Sequence, residues 1–138
     1  MKFIRRASAY WQGSGPEGKG YLNTQSKVLN QTPYSFKTRF QDEQGTNPEE
    51  LIAAAHAGCF TMQLTFLLGE AGFTPTDLET ETKLTFEDGS ITHIELILNG
   101  KVDGIDFDAF QATATKAKEI CPISKLLNTK ISLKVTLL

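Results

Sequence analysis

The stretch from Asn47 to Ala71 constrains this chain more than any other part of it. Asn47 is a good N-cap, Pro48 suits the first helical position, and Glu50 stands three residues after the cap. The run LIAAAHAGCFTMQLTFLLGEAG follows and stops near Gly69 or Gly72. The pattern predicts about 36 Å of helix, apolar or small on nearly every side. A helix apolar all round is buried inside protein. His56, Gln63 and several threonines interrupt it, which argues against a membrane span. With 138 residues the chain has the size of one domain and would struggle to cover such a helix. Burial by a second copy is the natural solution.

The segments around this helix read as an α+β protein. Residues 3–11 suit a strand, 13–20 a Gly-rich turn, and 20–40 short β segments broken at Asn30 and Pro33. Residues 41–45 are loop-like. Residues 78–86 alternate apolar and polar, Asp88-Gly89 is a hairpin signal, and ITHIELILNGKV makes the return strand. A second helix is expected over 107–119, with Asp106 or Asp108 near its start. Pro122 interrupts that run and can open a short third helix with Cys121 at its cap. KISLKVTLL closes the chain as an alternating strand. Runs of strands and helices in this order predict antiparallel pairing rather than a repeating βαβ wheel, within a single domain over residues 1–138.

Bulk chemistry removes several function classes. There are 14 basic and 16 acidic residues, a net charge of −2, and no basic stripe, so nucleic acid is not expected as a partner. The N-terminus MKFIRRASAYW lacks the apolar run of a signal peptide. A mean hydropathy of −0.22 suits a soluble protein, and the expected compartment is the cytoplasm. Two cysteines in that reducing setting are either small core residues or active thiols.

Gly13-Ser14-Gly15-Pro16-Glu17-Gly18-Lys19-Gly20 satisfies G-x-G-x-x-G and nearly matches a phosphate-binding loop. Gly20 stands where that loop needs Ser or Thr, and no helix follows, so a strand–strand turn is the better reading. Cys59 lies midway along the long helix. Cys121 precedes Pro122 at an expected helix start, where backbone N–H groups favour a thiolate. Two cysteines can form one redox pair, in which a sulfenic acid on one condenses with the other. A buried thiol needs help to ionise, and a guanidinium gives it while also binding a peroxide oxygen. Arg39, in YSFKTRF, is the candidate, with Glu49 in the first helical turn to hold it. Alone, each of these four residues also has an ordinary reading as core, surface charge or helix-dipole partner.

Other readings stay open at this level. His56 and Cys59 share a helix face, but no third residue orients a hydrolase-type pair. His56, His93, Cys59 and Cys121 lack the close spacing of a zinc site. The chain could instead bind an apolar ligand or partner with both cysteines inert. A peroxide-sensing regulator would need a recognition helix that is absent.

Taken together, GTNPEELIAAAHAGCFTMQLTFLLGEAGF and CPISKLL closely resemble the two cysteine motifs of the osmotically inducible protein C (OsmC) family. YWQGSGPEGKG, VLNQTPYSFKTRF and the strand-rich end extend the resemblance over nearly the whole chain. It implies an OsmC-like α+β fold, with antiparallel sheets around long buried central helices, in an intertwined homodimer with two interfacial sites. It implies reduction of organic hydroperoxides, and of hydrogen peroxide less well, to alcohol and water. Cys59 would be the peroxidatic and Cys121 the resolving cysteine. The Arg39 position in T-R-F matches the OsmC group rather than its Ohr relatives, and Glu49, after Asn-Pro, matches the supporting glutamate. A dithiol such as dihydrolipoamide is the implied reductant, and no metal, flavin or haem is implied. Gly58 stands where alanine is commoner.

Overall fold

Aromatic residues on either side of the Gly-rich segment pair as a hairpin, and the rest of the N-terminal unit is built onto it. The computed structural model describes all residues, Met1–Leu138, in two compact units, Met1–Leu51 and Ile52–Leu138. In the first unit, β1 (Ala7–Gln12) and β2 (Lys19–Thr24) are antiparallel, with Tyr10 opposite Tyr21 and their rings stacked at 5.0 Å. The Gly18 N–H donates to the Ser14 carbonyl at 2.8 Å and the Trp11 indole N–H to the Gly13 carbonyl at 3.1 Å. The segment is thus a strand–strand turn, as its lack of a following helix implied. β3 (Thr32–Tyr34) pairs antiparallel with β2.

The expectation of β structure up to residue 40 fails after Tyr34. Residues Phe36–Phe40 form a short helix, α1. Its cause is local: the Ser35 Oγ accepts the Thr38 N–H at 3.2 Å, and the Thr38 Oγ1 accepts the Ser35 N–H at 2.8 Å. This reciprocal capping box overrides the β-prone aromatic flanks. The loop after α1 folds back on β3. Gly45 has φ +146°, and a Cβ there would stand 2.7 Å from the Pro33 carbonyl oxygen. Only glycine allows the approach that lets the Thr46 N–H donate to that same carbonyl at 2.9 Å.

The long helix α2 (Pro48–Glu70) starts where the sequence places it. The Asn47 Oδ1 accepts the Glu50 N–H at 2.8 Å, and the Asn47 amide donates to the Thr38 carbonyl at 3.3 Å. The Glu50 carboxylate does not return to the cap backbone but accepts the Thr46 hydroxyl at 2.8 Å. At the far end, Gly72 adopts φ +91° and the Phe73 N–H donates to the Leu68 carbonyl at 2.8 Å, a Schellman-type stop.

In the second unit, β4 (Pro75–Glu87) and β5 (Ser90–Val102) form an antiparallel hairpin. Asp88 and Gly89 both have positive φ at its turn, as a type I′ connection requires. β6 (Lys130–Leu137) completes the order β4-β5-β6 but runs parallel to β5, with Ile94 opposite Ile131 and Leu98 opposite Val135. The expectation of wholly antiparallel sheets is corrected here. Helices α3 (Phe107–Ile120) and α4 (Pro122–Leu126) lie between these strands in sequence, and a crossover of that length is what a parallel pair needs.

The core of this unit joins one face of α2 to β5 and α3. Phe60, Leu64 and Leu68 pack with Ile94, Leu96, Leu98, Phe110, Ala114 and Ala117. Alternate β5 residues from Ile94 to Val102 point inward, and position 100 in that series is glycine because a Cβ there would collide with the Phe110 ring. The other face of α2 presents Ala55, Gly58, Met62, Phe66 and Gly69 to the outside, with Met62 and Phe66 each 64% exposed. One chain therefore leaves a whole face of this apolar helix uncovered. By length and composition α2 would also suffice to cross a bilayer.

Candidate active site

Cys59 sits midway along α2, half-buried, and Cys121 is fully buried where α3 ends and α4 begins. Helix packing brings residues 62 positions apart together: the Cys121 and Cys59 sulfurs share a hydrogen bond at 2.9 Å, and both thiols are free. α4 starts without a side-chain cap. The Ile123 N–H at that end bonds to the Cys59 sulfur, so the open donor anticipated for Cys121 serves Cys59 instead.

Burial pushes the Cys59 thiol up from its ordinary value, and the hydrogen bond with Cys121 adds to that; the Ile123 N–H pulls the other way. Desolvation wins. Within its own unit Cys59 is held as a thiol.

The other two candidate residues meet in the first unit. The Arg39 Nε, on α1, donates to the Glu49 Oε1, in the first turn of α2, at 2.6 Å. The Glu49 side chain is only 16% exposed and its Oε2 is buried without a hydrogen bond, whereas the Arg39 side chain is 40% exposed. So exposed a pair adds little stability. What it does is fix a guanidinium in one direction. The Arg39 guanidinium also lies 4.9 Å over the Phe40 ring. Beside it opens a mainly apolar cavity of about 420 Å³, lined by Trp11, Pro16, Tyr34, Phe36, Phe40 and Arg39 among others.

The four residues singled out by sequence thus form two pairs, one in each unit. Two further participants escaped that reading. The Ile123 N–H carries no side-chain signal at all. Ser124 is signalled only by its spacing, one turn after Cys121. Its Oγ shares a 2.7 Å hydrogen bond with the Nε2 of His56, which is fully buried, with Nδ1 unpartnered. His56, weighed as a partner of Cys59 and as a metal ligand, is satisfied on one nitrogen only, and burial lowers its pKa. His93, weighed as a metal ligand, shares a 2.8 Å hydrogen bond with Ser132 on the neighbouring strand.

Comparison with known proteins shows the family. The family described as "OsmC-like protein" matches residues 41–136. The chain is 47% identical over 137 residues to "Peroxiredoxin OsmC" of Escherichia coli strain K12, covering 96% of each. Among solved structures it is similar to the organic hydroperoxide resistance protein OhrB of Bacillus subtilis, with TM-score 0.69 and 25% identity over 97% of this chain and 98% of that one. The OsmC-like protein of Mycoplasma pneumoniae shares the fold at TM-score 0.78 and 13% identity, covering 100% of this chain and 99% of that one. On the extent of the family match and the near-complete span of a 47% identical relative, the chain belongs to the OsmC family.

Proposed function

We infer that this protein is a thiol peroxidase that reduces organic hydroperoxides to alcohols and water. The observation that carries the reading is the approach of Cys59 and Cys121 to 2.9 Å as free thiols. The name of the E. coli relative, a peroxiredoxin, and that of the B. subtilis one, an organic hydroperoxide resistance protein, point the same way.

Cys59, as thiolate, attacks the distal peroxide oxygen and takes it as sulfenic acid, while the alkoxide leaves and is protonated to the alcohol. Cys121 then attacks the Cys59 sulfur, forming the disulfide and releasing water. A dithiol such as dihydrolipoamide reopens it. Arg39, oriented by Glu49, stabilises the thiolate and the departing alkoxide. The aromatic cavity beside Arg39 suits an apolar substituent, which favours organic hydroperoxides over hydrogen peroxide.

The working form is a homodimer. The uncovered Met62 and Phe66 stripe of α2 is too apolar to remain in water, and a second copy of the same helix is its natural cover. Both units together act as a single OsmC-like domain in the cytoplasm, in defence against oxidative and osmotic stress.

One equivalent of cumene hydroperoxide added to the reduced protein tests this. Prompt loss of two free thiols per chain is expected, with none lost in Cys59→Ser and one in Cys121→Ser. Retention of both thiols would refute the enzyme and favour a ligand-binding protein with inert cysteines.

A further inference from the structure

Two side-chain contacts join the elements that carry the sulfurs, beside the Ile123 N–H on the Cys59 sulfur. Cys121 meets Cys59 at 2.9 Å. One turn away on each helix, Ser124 meets His56 at 2.7 Å. The two contacts form a two-rung ladder between α2 and α4, since His56 precedes Cys59 by three residues and Ser124 follows Cys121 by three.

The second rung has a cost that packing does not explain. His56 is fully buried and its Nδ1 has no partner. A buried nitrogen left unpaired is unfavourable, and an aliphatic residue would fill the site without that loss. α4 meanwhile has little else to fix it. It spans five residues, none fully buried, with no side-chain cap, and only Ile123 and Leu127 nearby pack partly on the core. Beside the Ile123 N–H on the Cys59 sulfur, the His56–Ser124 bond is the directional side-chain contact that holds this segment, and with it Cys121. Burial keeps the His56 ring neutral, so the contact persists at working pH.

The first rung breaks on every turnover. Once Cys59 carries an oxygen, its hydrogen bond with Cys121 is replaced by a sulfenic acid with two fates. Cys121 can attack the Cys59 sulfur, forming S–S, breaking S–O and releasing the oxygen as water with the thiol proton. Alternatively a second hydroperoxide transfers an oxygen, giving a sulfinic acid and an alcohol, which is a dead end. The first fate depends on Cys121 staying in place while the sulfurs are unbonded.

Resting on the peroxidase reading above, we propose that His56 and Ser124 are positioning residues for the resolving step. Their hydrogen bond holds Cys121 at the Cys59 sulfenic acid and so sets the partition between disulfide closure and over-oxidation.

The test is a titration of the full-length reduced chain with cumene hydroperoxide, without reductant. Intact mass then separates the loss of two hydrogens from the gain of two oxygens. The ratio compares two fates of one intermediate, so it does not depend on how fast that intermediate forms. Ser124→Ala should lower the closure ratio about tenfold, the scale of one lost hydrogen bond. His56→Phe should do the same, and Ser124→Thr, which keeps the hydroxyl, should recover most of the parent ratio. Parental ratios in both Ser124→Ala and His56→Phe would overturn the positioning role, as would a Ser124→Thr chain no better than Ser124→Ala. A parent chain that forms no disulfide would instead overturn the peroxidase reading, and this role with it.

Discussion

A thiol taken out of water is harder to ionise, and Cys59 is placed where that difficulty is felt. Burial and its bond to Cys121 raise its pKa, with the Ile123 N–H as the opposing donor. Because the thiolate is the nucleophile, the peroxide rate should climb with pH through the Cys59 titration. Arg39→Ala should move that rise to higher pH, and each pH unit it moves lowers the thiolate fraction at neutral pH about tenfold. A thiolate absorbance titration alongside stopped-flow peroxide reduction measures both, and an unmoved titration would remove Arg39 from activation. His56 gives a separate effect. The unfolded chain binds a proton there near pH 6.5, about the free histidine value, while the folded chain, with its pKa lowered by burial, does not. Stability should therefore decline as pH falls below about 6.5. Urea midpoints at stepped pH would show it, and the decline should flatten in His56→Phe. The four candidate residues could be singled out in the sequence because Cys, Arg and Glu announce their chemistry. The Ile123 contribution is a backbone group, to which any residue but proline would give the same N–H.

At the level of elements, legibility followed the strength of local signals. Asn47-Pro48 and Asp88-Gly89 marked a helix start and a hairpin turn because their conformational demands are narrow. α1 was missed because its box uses Thr38 at a position where glutamate or glutamine is the usual sign, and because Tyr34, Phe36 and Phe40 read as strand formers. The parallel direction of β6 was hidden for another reason: alternation fixes which side chains face inward, not which way a strand runs. Packing makes one further demand, at the contact of β5 with α3. A Cβ on Gly100 would meet the Phe110 ring, which is fully buried. Gly100→Ala should cost about 1–3 kcal/mol by overpacking. Adding Phe110→Leu should recover part of that loss, a coupling that a double-mutant cycle of denaturant midpoints resolves.

For the whole molecule, the deciding quantity is the apolar surface that one chain leaves open. The sequence showed a helix apolar on every side, and the structure shows which half a single copy covers. Phe60, Leu64 and Leu68 face inward, while Met62 and Phe66 face outward. If the outward half is the proposed dimer seam, Phe66→Lys should yield monomers by sedimentation, with peroxidase activity lost although both thiols remain. A dimer unchanged in that variant would place the seam elsewhere. The two units also differ in how they can be observed. The single tryptophan of the chain stands in the β1–β2 hairpin, edge-on to Tyr34 at 5.3 Å and lining the cavity beside Arg39. The chain thus carries an intrinsic fluorophore at the arginine pair and none near the sulfurs in sequence, so the arrival of an apolar alcohol in that cavity can be followed by emission alone, without attaching a dye to either thiol.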